Sequence, residues 1–148
     1  MLRDYKYQSW KKYIQRTKRD RLVRFVLFSN GVIDLFAALA LLFPVLKLPL
    51  PGYATYTNQL AFIAGGWGIA ALTLGIGRIW ASYKIEFHWI MVILGLLEGF
   101  ILTMYCLINV LFLDISLLQA LLPLAAGSIY SILYYVALIS LFSEGKFS

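Results

Sequence analysis

Four uninterrupted apolar stretches constrain this chain more than anything else in its sequence. They run from about Phe25 to Leu46, Leu60 to Ala81, Trp89 to Leu113 and Ser116 to Phe142. Each is close to the roughly 20 residues that an α-helix needs to cross about 30 Å of hydrocarbon. Helices are the expected form, because lipid offers no partner to a free backbone amide. The strands of a membrane barrel would alternate in polarity over short segments, and these stretches do not. Composition agrees. The chain of 148 residues is 61% apolar and 14% charged, against about 45–50% and 25% in soluble domains.

The stretches are joined by short connections. Pro49, Pro51 and Gly52 break the first connection, which forbids a continuous helix there, and Asn58 is read as the cap of the second span. Residues 82–88 make a tight turn. Asp114-Ile115 is almost the whole third link, and Ser116 with Gln119 reads as a capping box opening the fourth span. Short links favour antiparallel neighbours. The expectation is an all-α integral membrane protein. Its architecture is a four-transmembrane-helix up-down bundle over 25–142, preceded by a basic amphipathic N-terminal helix (1–24) and followed by a short tail (143–148).

Charge sets the orientation. Nine of the 13 Lys and Arg residues fall in the first 24 positions. Arg78, Lys84 and Lys146 lie on the same side of the proposed bundle, and Lys47 stands alone on the other. The positive-inside rule then puts both termini on the cytoplasmic side, or the matrix or stromal side of an organelle. Tyr7, Trp10 and Ile14 recur at helical spacing among Lys6, Lys11, Lys12 and Arg16. Such a helix suits an anionic membrane surface or a partner subunit, lying flat before turning into the first span. Trp10, Lys11, Lys12 and Arg16 are the docking candidates. Basic charge alone carries no base readout, so no nucleic-acid partner is expected.

Two carboxylates interrupt the apolar stretches. Asp34 lies ten residues beyond Arg24, and Glu98 ten beyond His88. At 1.5 Å per residue both sit roughly 15 Å from the same face, near the midplane. Intramembrane acids are costly and must face protein or water. Asn30 shares a helix face with Asp34, and Tyr105 and Asn109 share one with Glu98. Ser128, Tyr130, Ser131 and Tyr134 offer polar groups at middle depth on the fourth span. The acids are expected first of all to be structural, locking helix to helix or helix to a partner subunit; as the alternative, Asp34, Glu98, Asn30, Tyr105 and Tyr130 are the candidates for a ligand or proton site. Arg78, three or four residues from the end of its span, is expected to snorkel to the headgroups rather than take the alternative, a salt bridge with Asp34 or Glu98. His88 lies at the interface. Small residues mark close helix contacts: Gly68 and Gly75 lie on one stripe of the second span with Ala71, and Gly95 and Gly99 form a G-xxx-G in the third.

No nucleophile–base pair, phosphate loop or metal set is recognisable. The single Cys106 excludes an internal disulfide and a thiol–disulfide redox pair. About 24 residues precede the first span and six follow the last, too few for a soluble catalytic domain. The expected role is non-catalytic, without cofactor or metal: an accessory or scaffolding subunit in the bilayer beside other membrane subunits or further copies. The alternative is a bundle binding or transporting a small amine, lipid, cation or proton through Asp34 and Glu98. An enzyme acting on membrane lipid ranks third.

Overall fold

The computed structural model describes residues 2–42 and 57–142, with side chains from Asp20 onward, Leu60 aside. Four α-helices account for nearly all of it: α1 (Leu2–Leu42), α2 (Asn58–Tyr83), α3 (His88–Phe112) and α4 (Leu117–Phe142). Four segments are long and apolar enough to cross a membrane: Asp20–Leu42 in α1, Ala61–Tyr83 in α2, Ile85–Phe112, which is α3 with the turn before it, and Leu117–Phe142, which is α4. The last three lie within a few residues of the sequence boundaries; the first begins earlier than expected, and its expected end at Leu46 lies outside the described residues. The first connection and the tail, with Lys47, Pro49, Pro51, Gly52 and Lys146, lie outside the described residues.

One expectation is corrected at the N-terminus. The basic arm does not turn into the first span. It continues into it as a single helix of 41 residues, about 60 Å long. The reason is visible in the sequence: no Gly or Pro precedes Gly31, so nothing breaks the i→i−4 ladder between Leu2 and the apolar segment. Trp10, Lys11, Lys12 and Arg16 fall on this helix, in the part whose side chains lie outside the described residues.

The other boundaries have local causes. Thr57, not Asn58, closes the first turn of α2, its carbonyl accepting from the Ala61 amide at 2.9 Å. Between α2 and α3, Ile85–Phe87 form one 3₁₀ turn, with Phe87 packed on Trp80 at 4.8 Å between ring centroids. Asp114 ends α3 in the left-handed region at φ 54°, a conformation its short polar side chain tolerates. The Leu113 amide then donates to the Asn109 carbonyl. The Ser116–Gln119 capping box forms in both directions: the Ser116 amide donates to Gln119 Oε1 at 3.0 Å, and the Gln119 amide to Ser116 Oγ at 3.3 Å.

The helices associate as two hairpins, α1 with α2 and α3 with α4. In the first, Gly68 abuts Leu41 and Leu42 while Gly75 abuts Gly31 and Asp34, so the two helices run antiparallel. In the second, Gly95 meets Tyr134 and Gly99 meets Gly127 and Ser131, again antiparallel. The hairpins share one apolar core, built from Val23, Val26 and Leu27 of α1, Ala81 of α2, Val92 of α3, and Tyr134, Ala137 and Leu141 of α4. Elsewhere large apolar side chains such as Phe36, Trp67, Leu111 and Leu122 point outward. Large apolar side chains thus cover much of the outer surface as well as the core.

A candidate polar site at the junction of the hairpins

The buried side of α2 follows one stripe, Ala64, Gly68, Gly75, Arg78 and Ser82. Its glycines let α1 approach backbone to backbone. An added Cβ on Gly75 would lie 2.9 Å from the Gly31 carbonyl oxygen. The same stripe carries Arg78 inward, and here the sequence expectation is overturned. Arg78 does not snorkel to the end of its span; it is 2% exposed. One terminal nitrogen is ion-paired with Asp34 of α1 and the other with Glu98 of α3. The guanidinium carbon lies 6.0 Å from the centroid of the Tyr134 ring on α4, within cation–π range. Two charge-assisted bonds and an aromatic face take the place of headgroup hydration. All four helices therefore contribute to one cluster.

The two acids occupy unlike positions in it. The Asp34 side chain is 14% exposed. Arg78 donates to one of its oxygens and Asn30 Nδ2 to the other at 3.2 Å, so both oxygens are engaged. The Asn30–Asp34 bond follows from their spacing of four along one helix face. The Glu98 side chain is 43% exposed, and only Oε2 is engaged, by Arg78. Glu98 lies between the buried face of α3, with Gly95, Gly99 and Cys106, and an outer face of exposed apolar residues.

Tyr134 is the group that sequence reasoning placed at middle depth without singling it out. It is fully buried, and its ring lies against Gly95, where an added Cβ would overlap it. Its hydroxyl has no hydrogen-bond partner among the described residues. Tyr130, chosen from the sequence, stands one layer out, its ring 6.2 Å from that of Tyr134. Tyr105 is 63% exposed and is not brought to the cluster. His88 is buried at the first turn of α3. Small hydroxyls satisfy themselves on their own helices: Thr103 Oγ1 donates to the Gly99 carbonyl at 2.8 Å and Ser131 Oγ to that of Gly127 at 2.7 Å.

The cluster has a definite charge arithmetic. With all three groups ionised, two carboxylates face one guanidinium. Arg78 also spans the two hairpins, meeting Asp34 inside its own and Glu98 across the junction. Chemically this is a strut with one open end, at Glu98. No three His, Cys, Asp or Glu residues group as metal ligands among the described residues. No protein-family model, curated protein or solved structure matches the chain.

Proposed function

We propose that this chain is a multi-pass membrane protein acting as a non-catalytic accessory or scaffolding subunit. Its four helices cross the bilayer up and down, with both termini on the cytoplasmic, matrix or stromal side. The observation that carries the reading is the commitment of Arg78 to acids from both hairpins. The polar groups at middle depth hold helices together, as intramembrane charges do when they pair with one another, rather than facing a substrate cavity. The outward apolar faces of the helices suit lipid and neighbouring subunits alike.

The test is native mass spectrometry of the tagged chain released gently from its own membrane. A fixed stoichiometry with other membrane subunits, or a defined homo-oligomer, is expected; a solitary protomer overturns the reading. The orientation is checked separately on a Cys106→Ala background with single cysteines. Thr55→Cys is expected to react from outside in sealed cells, and Ser9→Cys and Ser143→Cys only after permeabilisation. Labelling of Ser9→Cys in sealed cells contradicts it.

A second reading, binding of a small amine or cation, finds its support in the half-open Glu98 carboxylate alone, since both Asp34 oxygens are taken. It gains if the solitary protein binds dodecylammonium and Glu98→Gln does not.

A further inference from the structure

We infer that Glu98 is the docking point for a transmembrane helix of a partner protein that carries a Lys or Arg at middle depth. The inference rests on the subunit reading above and specifies the chemistry of the contact.

The argument begins with charge. Each oxygen of Asp34 already has a donor, Arg78 on one and Asn30 on the other. Glu98 is the acid of the pair that can accept a second cation: its second oxygen is unengaged among the described residues, and its side chain is the more exposed of the two. The groups around it are Arg78 from α2, Asp34 of α1 beyond it, and Tyr134 from α4. None supplies a second cation. The other cations with described side chains, Arg21, Arg24 and Lys84, are exposed and form no ion pair with a described residue. An uncompensated carboxylate at this depth is costly, and such groups pair with a partner of opposite sign.

The shape of the surroundings then selects the kind of partner. On α3, Leu94, Ile101, Tyr105 and Ile108 fall on one face with Glu98, at steps of three and four residues, and all four are exposed. Glu98 stands at the inner border of this stripe. A stripe several turns long, with one acidic group partway along it, matches the ridge of another helix bearing one basic group. A small amine would use the carboxylate and leave most of the stripe uncovered.

The test uses synthetic Leu/Ala helices about 20 residues long with a single central Lys, Glu or Leu. Each is donor-labelled and reconstituted with the acceptor-labelled full chain in phosphatidylcholine vesicles. Energy transfer is expected for the Lys helix and to be near background for the Glu and Leu helices. Glu98→Gln keeps the shape and leaves Arg78 paired with Asp34. It is expected to weaken the Lys-helix association roughly tenfold, as loss of one interhelical polar contact does. Ile101→Trp leaves the cluster alone and obstructs the stripe, and it is expected to weaken the association as well. Circular dichroism and melting verify that each variant is folded.

Equal association of the Lys and Leu helices, or full association by Glu98→Gln, overturns the proposal. So does Glu98-dependent binding of dodecylammonium without any of the Lys helix. If Glu98→Gln keeps its native partners while the wild type ignores the Lys helix, the docking point is wrong and the subunit reading stands. If the wild type binds the Lys helix and yet is solitary in its own membrane, only the subunit reading falls.

Discussion

Replacing Gly95 by Ala isolates the cost of a single methyl group where α3 meets the Tyr134 ring of α4. An ideal Cβ at Gly95 overlaps the ring of Tyr134, which is fully buried and confined by Arg78 on another side. The ring cannot swing away without disturbing the core it shares with Val92 and Ala137. Overpacking of this kind costs about 1–3 kcal/mol. Against it stands the gain in helix propensity from Gly to Ala, about 1 kcal/mol. Gly66 supplies the control: it is also mid-helix, and nothing lies within 4 Å of its added Cβ. Gly66→Ala is expected to be neutral or stabilising by up to about 1 kcal/mol. Subtracting one variant from the other removes the propensity contribution and leaves packing, about 1–3 kcal/mol. Reversible unfolding in mixed detergent micelles, followed through the four tryptophans, reads both. Adding Tyr134→Leu to Gly95→Ala is expected to recover part of the loss, since contacting residues couple. Equal stabilities for Gly95→Ala and Gly66→Ala would refute the close crossing of α3 and α4.

Two further outcomes follow from the geometry. Arg78→Met leaves two carboxylates facing each other without a cation and is expected to cost about 3–5 kcal/mol in the same unfolding assay. Adding Asp34→Leu and Glu98→Leu to Arg78→Met is expected to restore most of that, because apolar groups of similar volume replace buried ion pairs at little cost. Ser116→Ala removes one half of the capping box that opens α4. A loss of about 1 kcal/mol is expected, and an unchanged unfolding curve would mean the cap is redundant with the helix packing.

Much of this arrangement is legible in the sequence, and the failures are physically specific. Apolar length identifies four helices, because each stretch has the length that a helix needs to cross a bilayer. The capping box and the Asn30–Asp34 pair were readable because both depend on spacing along one helix. For Arg78, distance from the end of the span favours snorkelling over the salt bridge with Asp34 or Glu98, whereas rotation about the helix favours the salt bridge, which is what forms. The signal was present: Gly68, Ala71 and Gly75 define a stripe whose next position is Arg78, so the stripe that lets α1 approach also carries the guanidinium inward. The continuous α1 was missed because a change in composition was read as a change in direction, although no helix breaker lies between Leu2 and Gly31. The choice of Tyr130 over Tyr134 could not be settled from α4 alone. It depends on which tyrosine faces Gly95 on another helix, and that is set by tertiary packing.

The central claim is that Asp34 and Glu98 share one buried cation, and a double-mutant cycle tests it most directly. Asp34→Asn and Glu98→Gln each leave Arg78 with one carboxylate and are expected to cost about 1 kcal/mol apiece. Together they leave a buried guanidinium with no counter-charge, and the double variant is expected to lose about 3–5 kcal/mol. The excess over the sum of the single losses is then about 1–3 kcal/mol, the range for groups in one network. Additivity of the two losses within about 0.5 kcal/mol, the behaviour of distant independent sites, would contradict the shared strut.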